Sequence, residues 1–175
     1  MVFERSPSSQ QDAAKIMARV TNFEDLKCWQ KARTLVNAVY DVTKNRVFRQ
    51  DFRLRDQLRS AAVSAMSNIA EGFARFHKKD FIRFLDISQS SSAEVKSLMY
   101  VVLDQEYASP DEVTKVQSLA VENRRTTLGL LRYIKRTLGG HSSSVREPVP
   151  VYMAIPDERE GWDLPEEFIY SPSEA

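Results

Sequence analysis

The side chains of this sequence that could do chemistry are mostly cations. On a helix spanning residues 110–138, Arg124, Arg125, Arg132, Lys135 and Arg136 fall within about 120° of one another. A second group, Arg75, Lys78, Lys79 and Arg83, brackets a break between two apolar stretches, with only Glu71 and Asp80 as acids nearby. Clustered Lys and Arg neutralise phosphates, displace counterions and give salt-dependent binding that reads no base sequence. The bland alternative is a solvated, slightly basic surface. Tyr133, Phe76 and Phe73 stand close to these cations along the chain, either as stacking surfaces or as core and interface residues.

Catalytic chemistry finds little footing. There is no Gly-rich phosphate loop and no Gly-x-Ser-x-Gly turn. A di-metal bundle site needs Glu-x-x-His, but Ala74 precedes His77 by three residues and Leu138 precedes His141 by three. Cys28 has no histidine near it in sequence and reads as a packed thiol. Glu71 and Glu94 could meet across two helices, as a hydrogen-bonded pair or a cation site. The expectation is a protein without catalytic residues, metal or cofactor.

The elements that must position these cations follow from composition and periodicity. The chain has 175 residues and 20.1 kDa, enough for one domain. Five Gly and seven Pro disfavour a turn-rich β fold, and one Cys leaves no disulfide framework. No apolar run is long enough to cross a bilayer and no secretory h-region opens the chain, so a cytoplasmic protein without membrane contact is expected. The net charge of +1 hides an asymmetry. Residues 21–140 hold 20 Lys/Arg against 14 Asp/Glu, whereas residues 141–175 hold two against eight. A basic body with an acidic tail hints at a polyanion partner or a self-masking tail.

The fold class is all-α: four antiparallel helices, up-down-up-down, followed by a mostly irregular C-terminal tail. The first helix runs from about Phe23 to Thr43, with Asn22 able to cap it and Leu26, Trp29, Val36, Val39 and Thr43 on one face. The second runs from about Asp51 to Ala74 on Leu54, Leu58, Ala61, Ala65 and Ile69. The third runs from about Lys79 to Tyr107 on a heptad-like stripe from Phe81 to Val102. The fourth opens on a capping box, Ser109-Pro110-Asp111-Glu112, and ends at Gly139-Gly140. The domain division is therefore 1–21, an extension in which 9–19 could form a short helix; 22–139, the bundle; and 140–175, the tail. Five prolines beyond Gly140 forbid a long helix there, while its apolar residues, from Val149 to Tyr170, alternate with acids. Such a segment can lie over a basic surface, recruit a partner or remain flexible.

Between Ala61 and Ala74 only Glu71 is charged. Ala61, Ala65 and Ile69 point one way and Val63, Met66 and Ala70 roughly the other, with Gln57, Ser60, Ser64, Asn68 and Glu71 between. Two readings stay open: an internal helix whose small residues admit a close neighbour near Ser88 and Ser91, or a second apolar face covered by another copy of the chain. Trp29, Ser64, Met66, Asn68 and Glu71 are the candidate structural or interface residues, with Asn68 and Glu71 expected to be buried and hydrogen-bonded.

Phe23-Glu24-Asp25-Leu26, Trp29-Gln30-Lys31-Ala32, Gln57-Leu58-Arg59, Asn68-Ile69-Ala70-Glu71-Gly72 and Phe81 with Phe84-Leu85 occur in an order that resembles a known family. It is the four-helix-bundle family named for proteins encoded in intervening sequences of large-subunit ribosomal RNA, which includes the accessory variability determinant of diversity-generating retroelements. The resemblance spans about Asn22 to Leu138. It implies a ring-like homopentamer and, as in the retroelement members, a basic surface for RNA or DNA backbone and a reverse transcriptase partner. Two positions depart: Ser90 stands where the family often has Gly, and His77 where a small capping residue is usual. The expected function is a non-enzymatic, oligomeric RNA-binding accessory protein. The rival expectation is a ring-forming scaffold that recruits proteins through its acidic tail and binds no nucleic acid.

Overall fold

A computed structural model describes residues 17–139 and 162–172. Four helices form the body: α1 (Lys27–Thr43), α2 (Phe52–Ala74), α3 (Lys78–Asp104) and α4 (Pro110–Gly139). Each packs on its chain neighbours, and α4 returns to α1, so the up-down-up-down bundle closes. The described residues contain no helix long and apolar enough to cross a membrane.

Each helix end has a local cause. The Asp51 carboxylate accepts from the Leu54 N–H at 3.0 Å and starts α2. The Ser109–Glu112 capping box forms as the sequence predicts: the Glu112 carboxylate accepts from the Ser109 N–H at 2.9 Å, and the Glu112 N–H donates to Ser109 Oγ at 3.3 Å. α3 stops three residues short of the expected Tyr107. Glu106 turns left-handed (φ 56°), and the Tyr107 N–H reaches back to the Val102 carbonyl, a Schellman closure. His77 precedes α3 in an extended conformation and makes no side-chain cap, in line with its departure from the family pattern.

The start of α1 differs from expectation. Phe23–Asp25 form a single 3-10 turn, Leu26 is extended, and only then does α1 begin. Asn22 caps nothing through its side chain. The reason lies at the far end of the chain. Leu26 bridges Ile169, and the Tyr170 N–H donates to the Asp25 carbonyl at 2.6 Å, which draws this backbone out of the helix.

The same end corrects the last residues, 17–19, of the helix expected over 9–19. Residues 17–20 are a strand, β1 (Met17–Val20), paired antiparallel with β2 (Trp162–Pro165) in the otherwise irregular tail. Val20, Trp162 and Leu164 are buried, so the apolar side of this ribbon rests on the bundle. A strand satisfies its backbone with a partner while placing alternate side chains inward. Positions 9–16 and the tail residues Val149 to Ile155 lie outside the described residues.

The core has two parts. Near the strands, Leu26, Cys28, Ile69, Phe73, Phe81, Leu85, Ile134, Trp162 and Leu164 form one cluster. Toward the other end, Leu35, Val39, Phe48, Leu58, Val95, Met99, Val113 and Val116 belong to a second. A belt of small polar residues links α2, α3 and α4. Ser88 Oγ donates to the Ala65 carbonyl at 2.6 Å, Ser64 and Ser91 hydroxyls meet at 2.9 Å, and Asn123 Nδ2 donates to Ser92 Oγ at 2.9 Å. Small side chains let these helices approach closely. Gly72 is the extreme case, because a Cβ there would stand 2.6 Å from the Cβ of Phe84.

Candidate nucleic-acid interface

The fourth helix turns its basic face toward its seam with α3. Arg124 Nε donates to Gln89 Oε1 on α3 at 3.0 Å. Below it, Arg124, Arg125 and Arg132 line a depression of about 420 Å³ with Lys96 of α3, over a floor of Ala93, Ala120, Val121 and Leu128. A second depression of about 500 Å³ continues it, sharing Lys96, Val121 and Arg125 and adding Tyr100, Thr114, Gln117, Ser118 and Glu122. Together they make one groove along α3 and α4.

The electrostatics of the groove are one-sided. Lys96, Arg125 and Arg132 have no ion-pair partner among the described residues. The acid in the groove, Glu122, is already engaged by Lys31 Nζ of α1 at 2.5 Å. Unpaired cations over an apolar floor attract a multiply charged anion, since no internal carboxylate competes for them.

The other predicted cations are not all here. Lys135 and Arg136 are exposed on the last turns of α4, and Lys78 and Lys79 are exposed at the start of α3, level with that end. Arg75 and Arg83 belong to the opposite seam. Both stack on the ring of Phe84, at 4.8 and 5.6 Å, and Arg75 is also paired with Glu71 at 2.8 Å. On α3, Arg83 and Gln89 point about 120° apart. The nine cations therefore do not form one patch: Arg75 and Arg83 lie on one side of α3 and Arg124, Arg125 and Arg132 on the other. The sequence reading missed Lys96, a lone cation in a stretch that reads as core; a helical wheel places it on the flank of Gln89.

The candidate stacking aromatics are used internally. Phe73 is buried with its ring 6.1 Å from Phe81 and 6.4 Å from Trp162. Tyr133 packs on Phe168 at 5.4 Å, and Phe76, in a left-handed conformation (φ 54°), leans on Phe73. The aromatic at the groove is Tyr100, 52% exposed and without a ring partner among the described residues.

The candidate structural residues fall on two seams. Ser64 and Asn68 serve the seam with α3: Asn68 Nδ2 donates to the Ser64 carbonyl at 2.8 Å and to its hydroxyl at 3.0 Å. Met66 and Trp29 are half-buried against the first core cluster, Trp29 edge-on to Phe23 at 5.1 Å. Glu71 is exposed rather than buried, because the last turns of α2 present it to solvent beside Arg75. Nor does it meet Glu94. Glu94 accepts from Gln57, whereas Glu71 lies level with Phe84, fourteen residues or about 21 Å further along α2. Cys28 is wholly buried, and burial pushes its thiol up to about 12, which leaves it protonated and unreactive. Among the described residues no group of three His, Cys, Asp or Glu could hold a metal.

Residues 24–129 match the 23S rRNA-intervening sequence proteins. The chain belongs to that family. No curated protein matches it. Among solved structures it is similar to a protein of unknown function from the S23 ribosomal protein family of Bacteroides thetaiotaomicron, at 18% identity and a TM-score of 0.56. That likeness covers 59% of this chain and 97% of the other and supports the shared fold. The groove cations Lys96, Arg124 and Arg125 lie inside the family-matched stretch, and Arg132 lies just beyond it. β1 and β2 lie outside it.

Proposed function

We propose that this member of the 23S rRNA-intervening sequence family is a non-enzymatic accessory protein that binds the backbone of RNA or DNA along the α3–α4 groove. The observation that carries the reading is the set of Lys96, Arg125 and Arg132 around one groove with no ion-pair partner among the described residues. Arg124 adds a fourth charge, and Lys78, Lys79, Lys135 and Arg136 extend the field toward the end of the bundle. In this reading the protein works as a homo-oligomer, a pentameric ring by family resemblance. Val63, 37% exposed on α2 beside half-buried Met66 and Ala70, would meet the next copy. Repetition around a ring multiplies a modest patch. A reverse transcriptase is the enzyme such an accessory would serve.

The scaffold reading is less well supported. The tail residues it relied on include Trp162 and Leu164, and both are buried in the protein's own core.

The test is filter binding of a structured RNA at several salt concentrations, with a triple K96E/R125E/R132E variant. Each lost phosphate contact lowers the slope of log affinity against log salt by about 0.7 to 0.9. The variant should bind at least about tenfold more weakly with a shallower slope. An unchanged slope and affinity would refute the groove as the binding site.

A further inference from the structure

We propose that the groove selects single-stranded nucleic acid, with one unstacked base lying on the ring of Tyr100. This rests on the backbone-binding reading above and narrows its ligand.

The two halves of the groove differ in chemistry. The half around Arg124, Arg125 and Arg132 is cationic over an apolar floor. Arg125 and Arg132 stand two turns apart on α4, about 10.5 Å along its axis, so they engage different phosphates. The other half carries no unpaired cation beyond the shared Lys96 and Arg125. It offers the Tyr100 ring, with Thr114, Gln117 and Ser118 opposite it on α4. Glu122 lines this half too, but its carboxylate is held by Lys31.

Tyr100 is the informative residue. It is 52% exposed, lies in the groove and has no aromatic or cationic partner among the described residues. A free aromatic face next to phosphate-binding cations fits a nucleobase, and hydroxyl and amide groups across the groove can reach a base edge. A duplex keeps its bases stacked on one another and cannot use that ring. It would gain only the backbone contacts. A single strand gains both.

The experiment is fluorescence anisotropy of the full chain with a labelled, unstructured 12-nucleotide RNA and with the blunt duplex of the same sequence. Y100A and Y100F variants are measured alongside, and circular dichroism establishes that each is folded. The single strand should bind more tightly than the duplex. Y100A should weaken single-strand binding by about fivefold or more and leave duplex binding unchanged, while Y100F should bind like the native protein. Equal affinity for both forms with no effect of Y100A overturns the single-strand inference and leaves the backbone reading standing. Tighter binding of the duplex also overturns it. Failure of both nucleic acids to bind at low salt overturns the two readings together.

Discussion

Removing the indole of Trp162 tests whether the end of the chain is part of the fold. Trp162 is 8% exposed, its ring lies 5.0 Å from Phe81 and 6.4 Å from Phe73, and its Nε1–H donates to the Phe73 carbonyl at 3.3 Å. Truncating a buried Trp to Ala costs about 3–5 kcal/mol, the sum of lost transfer energy and the space left behind. That is a large share of the roughly 5–15 kcal/mol that holds a domain together. With a urea slope of about 2 kcal/mol per molar, W162A should lower the unfolding midpoint by roughly 2 M. W162F keeps most of the packing and loses the hydrogen bond, so it should cost only about 1 kcal/mol. The assay is urea unfolding followed by circular dichroism, with the fluorescence of Trp162, isolated in a Trp29→Phe background, as a second probe that reports on β2. Coincident transitions would show that β2 unfolds with the helices. A W162A midpoint within about 0.3 M of the native one would refute the reasoning, because β2 would then add nothing to the cooperative unit.

Two further predictions concern α2 and α4. Gly72→Ala should destabilise although alanine is the better helix former by about 1 kcal/mol. Its Cβ would stand 2.6 Å from the Cβ of Phe84 and 3.0 Å from Phe81 Cδ2, and overpacking of this kind costs about 1–3 kcal/mol. A rise in melting temperature would disprove the close approach of α2 and α3. At the start of α4, the Ser109 hydroxyl and N–H hold the Glu112 carboxyl below its ordinary value of 4.5. A depressed acid contributes stability that is present above the unfolded pKa and lost as pH falls through the folded one. Native protein should therefore exceed E112Q in stability at neutral pH, with the gap narrowing below about pH 4.5. Urea midpoints measured across that range would check it, and parallel curves would sink it.

The bundle was legible because its signals are local. The stripe on α4 from Val113 to Ile134, the Ser109–Glu112 box and the small residues of α2 are each readable from spacing alone. Two things were not. The strand at Met17–Val20 depends on a partner about 145 residues away, and no local pattern in four residues announces such a pairing. The division of the basic patch was hidden for a related reason. A helical wheel orders Arg75, Arg83 and Arg124 about their own axes, but it does not say which neighbour closes each seam. Packing decides that, and packing puts α3 between them. Lys96 and Tyr100 show the converse. Neither lies on the Phe81–Val102 stripe, and they gain meaning only when α4 brings Val121 and Arg125 alongside.

The tail shows how a charge asymmetry along the chain turns into two sides of one object. Read linearly, a basic body precedes an acidic, aromatic tail that could mask a surface or recruit a partner. In the fold, Trp162 and Leu164 turn inward onto Phe73, Phe81 and Ile134, while Asp163, Glu166 and Glu167 remain exposed. Phe168 continues along the bundle against Tyr133 and the backbone at Gly129 of α4. The described part of the tail is thus an amphipathic strap at one end of the bundle, reaching Phe73 of α2 and Phe81 of α3 through Trp162, α4 through Phe168, and the turn before α1 through Ile169 and Tyr170. The family-matched stretch stops at residue 129, and the Bacteroides relative is almost wholly covered by 59% of this chain. Here the bundle end is closed by segments from outside that stretch. None of the described tail residues lines the Lys96–Arg132 groove, whose walls come from α3 and α4 alone. An anion approaching the groove therefore meets the cations of α3 and α4 without the described part of the tail having to move.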